Sequence, residues 1–285
     1  MFLVLSVQFG TPIVVMHGMG MSKDGMKYLI QTVNQTYPDS HIQNCEIGNG
    51  RIDSVMMTVR DQVDELSQCI NNDIRLKDGF IAFGFSQGGY LLRNYIQNYN
   101  HIKYPALRFV GLSNPLGGFF CGDESKCYPT IQILVNIVPH NIIYTEFLQN
   151  LITASNYWRD PKELDDYLEV AFDLPLLDNL RDYDEQRKTN FMSVDKYILF
   201  GSPNDGLISP WKSAFFGQFG NNDSHILNYW ERPDFNDDNF GLKTMHEQNR
   251  IITHETTFKH GEYIMPHTQQ YLIDNVMPWL NLDKK

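Results

Sequence analysis

Residues 80–99 constrain the fold more than any other stretch of the chain. Phe80-Ile81-Ala82-Phe83 is an apolar run with the length of a buried strand. It passes through Gly84-Phe85-Ser86-Gln87-Gly88-Gly89, without a linker, into a helical pattern from Tyr90 to Tyr99. A strand that enters a helix through so short a corner needs glycines beside it, because the two backbones approach closely there. The serine at the corner is held with its Oγ proud of the strand end. The amide of Gln87, in the first turn of the helix, points at any negative charge that develops beside that oxygen. This context turns a loose G-x-S-x-G match into a nucleophile elbow; elsewhere the same letters are only a Gly-rich turn with an exposed serine.

The rest of the chain repeats the strand–helix rhythm. Pro12 to Met16 reads as a buried strand ending at His17-Gly18-Met19-Gly20, and Ser22 as the cap of a helix that Pro38 stops near Tyr37. His41 to Ile47 is a weaker strand. Asp53 or Ser54 is expected to cap a helix in which Val55, Val59, Val63, Leu66 and Ile70 recur at helical spacing. Further strands are expected at Leu107–Leu112, Tyr197–Phe200 and Arg250–Thr253, with one closing amphipathic helix from Pro266 to Leu280. Alternation of this kind implies an α/β fold, with a mostly parallel central sheet and helices on both faces. Combined with the elbow, it points to an α/β-hydrolase fold. Over eighty residues separate Leu112 from Tyr197. They include helical patterns at Ile131–Leu151 and Pro161–Val170, and this is more than one crossover requires. We expect a single domain over residues 1–285, with a helical cap insertion at approximately 117–193.

A serine hydroxyl needs a base, and the base needs a carboxylate to orient it. In this fold class the order along the chain is Ser, then Asp or Glu, then His, with the acid on the loop after a late strand. Asp205, in Gly201-Ser202-Pro203-Asn204-Asp205-Gly206, occupies that position; Asp195 precedes the strand and Asp223 lies too far beyond it. Of nine histidines, His260 falls between the last expected strand and the closing helix, where the base belongs, and His254 at the strand's end is second. The second oxyanion amide should come from the loop after the first strand, which makes Met19 the partner of Gln87. His17 is expected to hydrogen-bond within its own loop.

Composition narrows the partners. With 23 basic and 34 acidic residues the formal charge is −11, and no basic cluster offsets it, which excludes nucleic acid as the main partner. No apolar run approaches the roughly 18 residues of an integral membrane span. No metal-ligand pattern or cofactor fingerprint appears. Cys121 and Cys127 bracket a short polar loop that closes easily, which leaves Cys45 and Cys69 to pair with each other or stay free. Four reduced, buried thiols are the alternative. The apolar lead Met1 to Phe9 reads either as the remnant of a secretory signal or as a plain lead-in. Asn34 and Asn222 each begin a glycosylation acceptor tripeptide.

These residues together resemble the palmitoyl-protein thioesterases, lysosomal α/β-hydrolases that remove fatty acyl groups from cysteine. The matching pieces are His17-Gly18-Met19-Gly20, Glu46-Ile47-Gly48, the elbow, Tyr157-Trp158-Arg159-Asp160-Pro161, Asn204 to Pro210, Phe216-Gly217 and Gly241 to Met245. They run in the family's order across nearly the whole chain.

The resemblance implies Ser86 as nucleophile, Asp205 as acid, His260 as base, and the Met19 and Gln87 amides as oxyanion hole. It also implies a Cys121–Cys127 disulfide. Cys69 matches another family cysteine whose usual partner position, near Tyr99, has none here. Around the base the family reads Gly-Asp-His where this chain has Phe258-Lys259-His260. The implied substrates are S-acylated proteins or peptides and long-chain acyl thioesters, and the implied placement is lysosomal or secreted. An acyl groove is expected in the cap, along Phe147, Trp158, Phe172, Leu174, Leu176 and Leu177. A carboxylesterase or lipase acting on oxygen esters would share the triad, and a non-catalytic lipid-binding protein would keep only the fold.

Overall fold

The computed structural model describes residues 10–122, 127–128, 140–222 and 224–282. Six strands form one parallel sheet: β1 (Ile13–Met16), β2 (Ile42–Cys45), β3 (Phe80–Phe85), β4 (Ala106–Leu112), β5 (Tyr197–Gly201) and β8 (Ile251–Glu255). Their spatial order is β2-β1-β3-β4-β5-β8. A separate antiparallel pair is made by β6 (Gln218–Phe219) and β7 (Ile226–Leu227). The order reverses between β1 and β3, so the carboxyl ends of those two strands flank the topological switch point, where open parallel sheets place their sites.

Alternation along each strand feeds two cores. Ile13, Val15, Ile81, Phe83, Phe85, Val110 and Ile198 face α1 (Lys27–Thr36) and the C-terminal turns through Leu272, Val276 and Leu280. Val14, Met16, Phe80, Ala82 and Phe109 face α3 (Val59–Asn71) and α4 (Gln87–Tyr99).

Several elements differ from the sequence expectation. Ser22 makes no side-chain capping bond: it precedes a tight turn over Lys23–Met26, and α1 begins only after that turn. The helix expected from Asp53 is broken into a single turn, α2 (Asp53–Met56), and α3. Thr58 is extended, and its side chain accepts from the Asp61 amide at 3.2 Å, so Thr58 caps α3 and neither Asp53 nor Ser54 does. The closing helix is four consecutive segments, a tight turn over Pro266–Thr268, Gln269–Tyr271, a wider π-type stretch over Leu272–Val276, and tight turns over Met277–Leu280. Pro278 has no amide to donate and crowds the carbonyl of Asp274, so a regular α-helix cannot continue through it. His254 lies inside β8, not at its end, with its ring stacked on Phe200 at 4.6 Å.

The expected helix Ile131–Leu151 falls partly outside the described residues, as does the lead Met1 to Phe9. Helices are seen at His140–Ile143 and Glu146–Leu151. Pro161–Val170 is reduced to Leu164–Val170, and Leu174–Leu177 forms one turn opened by Pro175. Buried charge ties this segment to the sheet's helices. The Arg93 guanidinium of α4 donates to Asp178 at 2.5 Å, and Arg232 donates to the other oxygen of the same carboxylate at 2.7 Å. Disulfides join Cys45 to Cys69 and Cys121 to Cys127.

Candidate active site

Ser86 stands at the corner between β3 and α4 with φ 54° and ψ −134°, a left-handed conformation that a non-glycine residue adopts only when its surroundings enforce it. The enforcement is steric. A Cβ at Gly88 would collide with the Met16 and His17 carbonyl oxygens, and one at Gly84 with the Gly89 backbone. Asn114, just past β4, donates its amide to the Ser86 carbonyl at 2.8 Å and to the Gly84 carbonyl at 3.1 Å, which fixes the corner from the other side.

His260 Nε2 lies 2.9 Å from Ser86 Oγ. Its Nδ1 lies 3.0 Å from each oxygen of Asp205. Asp205 is fully buried, yet its carboxylate is well supplied with donors. The Leu207 and Ile208 amides donate to Oδ1 at 2.9 and 2.6 Å, and the Ser113 hydroxyl donates to Oδ2. The Phe85 ring packs against the imidazole with centroids 5.1 Å apart. Ser86, Asp205 and His260 are thus brought together, and His254 is not among them.

The loop after β1 runs beside the nucleophile: a Cβ at Gly18 would stand 2.8 Å from Ser86 Cβ. Gly18 to Met21 close a turn in which the Met21 amide donates to the Gly18 carbonyl at 3.3 Å, with Gly20 at φ 70°. Met19 occupies the second position of this turn, whose own N–H takes no part in the closing bond. His17 keeps within the loop, its Nδ1 2.9 Å from the Gly18 carbonyl, with Nε2 2.7 Å from Glu46 of the Glu46-Ile47-Gly48 motif.

Four residues beside the site were not assigned to it from the sequence. Ser113 supports Asp205, as above. Tyr157 donates its hydroxyl to the Gln87 side chain at 2.8 Å, and burial pushes its phenol well above the ordinary tyrosine range. Ser54 bonds to Gly20 and to Gln87. Tyr128 follows Cys127 and lies against Gly206, its amide donating to the Gly206 carbonyl at 2.7 Å. Its phenol is raised by burial, then by the Asp205 and Glu262 carboxylates. For Ser113 a signal existed: it is a polar residue directly at the carboxyl end of a central strand.

The expected acyl groove is not assembled as drawn. Leu174 and Leu177 are core residues, and Phe147 is 70% exposed. Phe172 and Leu176 line a cavity of about 300 Å³ together with Arg60, Asn94, Tyr99 and Asp173. That cavity sits roughly 12 Å or more along α4 from Ser86, because Asn94 is eight residues on at about 1.5 Å each. The leucines turn inward because the turn that carries them is tied to α4 from below, through a bond of 2.7 Å from the Gln97 amide to the Leu177 carbonyl.

A parallel sheet with a serine on a left-handed strand–helix corner at its switch point, joined to an imidazole and a buried carboxylate, defines an α/β-hydrolase of the serine type. Solved structures with this fold include a monoacylglycerol lipase from Paleococcus ferrophilus, with TM-score 0.50 and 15% identity over 95% of this chain and 96% of that one. An esterase from Pyrococcus furiosus has TM-score 0.50 and 11% identity over 96% and 82% of the two chains. Residues 12–260 match the family model described as palmitoyl protein thioesterase. The chain belongs to that family, and with it to the serine hydrolases that cleave thioesters. Palmitoyl-protein thioesterase 3 of Dictyostelium discoideum is 29% identical over 94% of this chain and 92% of its own length. The lysosomal thioesterase PPT2 homolog of Drosophila melanogaster is 28% identical over 95% and 92%. The human lysosomal thioesterase PPT2 is 27% identical over 85% and 78%.

Proposed function

We propose that the chain hydrolyses long-chain S-acyl thioesters on protein cysteines through an acyl-enzyme. Ser86 is the nucleophile, His260 the general base, Asp205 the residue that orients it, and the amides of Met19 and Gln87 the oxyanion hole. The observation that carries this reading is the unbroken line from Ser86 Oγ through His260, 2.9 Å on one side and 3.0 Å on the other, to Asp205. As Ser86 Oγ bonds to the thioester carbonyl, its proton passes to His260 Nε2 and the carbonyl electron pair moves onto oxygen, facing the two amides. The C–S bond then breaks, and His260 Nε2 gives its proton to the sulfur as or just after it leaves, so that the imidazole is neutral again once the cysteine thiolate has gone. With an ordinary thiol pKa near 8.5 the thiolate departs more readily than an alkoxide, so proton donation by His260 matters less at this step than it does for an oxygen ester. Water, deprotonated by the same imidazole, releases the fatty acid and restores the serine hydroxyl.

A sixteen-carbon chain offers on the order of 10 kcal/mol of burial before entropy losses, enough to select long acyl groups. The segment at approximately 117–193 is the proposed cap over the carboxyl edge of the sheet. Two disulfides and the lysosomal names of the relatives favour a lysosomal or secreted placement. Among the described residues no helix is long and apolar enough to cross a membrane.

The test compares turnover of S-palmitoyl and O-palmitoyl substrates of equal chain length, with Ser86→Ala as control. We expect preference for the thioester, and fluorophosphonate labelling that vanishes in Ser86→Ala. A large preference for the oxygen ester would make the chain a carboxylesterase or lipase. Labelling that survives Ser86→Ala would remove the proposed nucleophile.

A further inference from the structure

The two proposed oxyanion amides come from loops after different strands, β1 and β3, and must be held at a fixed separation to act together. We infer that Ser54 is the positioning residue that sets that separation, by bonding to both loops at once. Ser54 is buried in the single turn α2. Its hydroxyl accepts from the Gly20 amide at 3.0 Å and donates to the Arg51 carbonyl at 2.9 Å. The first bond holds the peptide that follows Met19. Its carbonyl accepts from Gln87 Nε2 at 2.8 Å, which holds the residue bearing the other amide. Gln87 is fixed further by Gln62 Oε1 at 3.0 Å and by the Tyr157 hydroxyl at 2.8 Å. Gln62 is itself fixed by a bond of 2.7 Å to Thr153. Each polar atom of the Gln87 side chain therefore has a partner, and the side chain can act as a strut.

The inference rests on the hydrolase reading above and adds a residue that touches neither substrate nor the reacting atoms. Its signature is selective. Ser86 Oγ adds to a palmityl trifluoromethyl ketone with the same electron movement as in the reaction: a C–O bond forms, the carbonyl pair goes onto oxygen, and the proton goes to His260. The resulting oxyanion reads the hole directly. A non-hydrolysable palmityl thioether reads only the ground state.

In Ser54→Ala the Gly20 amide loses its acceptor and the Met19 loop is freed, so kcat should fall roughly tenfold to a hundredfold. The ketone inhibition constant should rise by a like factor, while thioether affinity stays within about threefold. Kcat and ketone affinity both within threefold of wild type would overturn the inference. So would equal weakening of ketone and thioether, which reports general disruption. Where Ser54→Ala shows no cooperative melt, Gln62→Met, which removes one of the two acceptors of Gln87 Nε2 and leaves the Ser54 carbonyl as the other, must shift the same ratio in the same direction; an unchanged ratio overturns the inference. Wild-type protein inactive on every palmitoyl ester would instead sink the hydrolase reading, so the two failures are distinguishable.

Discussion

Removal of the Ser113 hydroxyl tests how the buried carboxylate holds the imidazole. Ser113 sits directly after β4 with φ 54° and no exposed surface, and its hydroxyl donates to Asp205 Oδ2. Asp205 also accepts the Leu207 and Ile208 amides and faces His260 Nδ1, so Ser113 supplies one of three supporting donors. A hydrogen bond to a charged group is worth about 1.5–3 kcal/mol, and 1.36 kcal/mol is a factor of ten in rate. The two amides remain in the variant, so only part of that loss should reach the transition state. We expect kcat on an S-palmitoyl substrate to fall about ten- to thirtyfold in both Ser113→Ala and Ser113→Gly. The two variants separate rate from folding: glycine relieves the left-handed backbone, about 1 kcal/mol, and alanine does not. Urea denaturation should therefore find the glycine variant the more stable of the two at equal kcat. Asp205→Asn, which presents the wrong donor pattern to the imidazole, should cost on the order of 10⁴ by comparison. Either Ser113 variant within twofold of wild type would show that the hydroxyl does not support the carboxylate. A loss above about a thousandfold would show that it does more than one hydrogen bond can.

Two further outcomes concern stability. Asp178→Ala leaves the buried Arg93 guanidinium without its carboxylate and Arg232 with Asp234 alone, and should destabilise by about 3–5 kcal/mol in a denaturant titration; a change below about 1 kcal/mol would show that the Asp178 pairs do not hold this segment to α4. Asp173 is held above the ordinary aspartate range by burial, which outweighs bonds from Tyr90 at 2.6 Å and from Asn94. The folded state thus binds this proton more tightly than the unfolded chain. Its contribution is fully present below a pH of about 4 and is lost as pH rises through the raised folded value. Asp173→Asn, which stays neutral, should gain stability relative to wild type as pH climbs from 4 to 7. Parallel curves, or the opposite slope, would refute the assignment.

What could be read in the sequence was what depends on nearest neighbours. The strand Phe80–Phe85, its corner and α4 follow from β-branched and aromatic residues, glycine spacing and a helical apolar repeat, and the acid and base loops follow from chain order. The supporting polar groups could not be read that way. Ser54 resembles a helix cap because Ser and Asp beside an apolar repeat usually are caps, yet its hydroxyl is taken by Gly20, thirty-four positions earlier. Gln62 and Gln87 look like surface residues of amphipathic helices and are both buried. Nothing local distinguishes a solvated glutamine from one whose partner is brought in by a distant loop. The misplaced acyl groove has the same origin: Leu174 and Leu177 are apolar in either setting, and the ties from α4 that turn them into core, from Tyr90 and Asn94 to Asp173, from Gln97 to the Leu177 carbonyl and from Arg93 to Asp178, come from a distant part of the chain.

The sheet order explains why the base lies so late and why its loop must be stitched in place. Neighbouring strands are about 4.8 Å apart, so β8, three steps from β3, lies roughly 14 Å across the sheet from the strand that carries Ser86. An imidazole projecting straight from the end of β8 could not reach that serine, and His254, inside β8, stacks on Phe200 instead. The chain must travel back over the end of β5, and three bonds hold it there. The Thr256 amide donates to the Gly201 carbonyl at 2.8 Å, the Asn204 side chain to the Thr257 carbonyl at 3.1 Å, and the His260 amide to the Asp205 carbonyl at 3.1 Å. The carboxylate and the imidazole thus share a backbone tie as well as a side-chain one, and the two loops move as one body. Asn204→Ala should for that reason raise the mobility of the His260 loop, seen as faster amide hydrogen exchange at Thr257–His260, and lower kcat without weakening binding of the thioether analogue. Unchanged exchange with unchanged kcat would mean that the Asp205–His260 backbone bond holds the loop by itself.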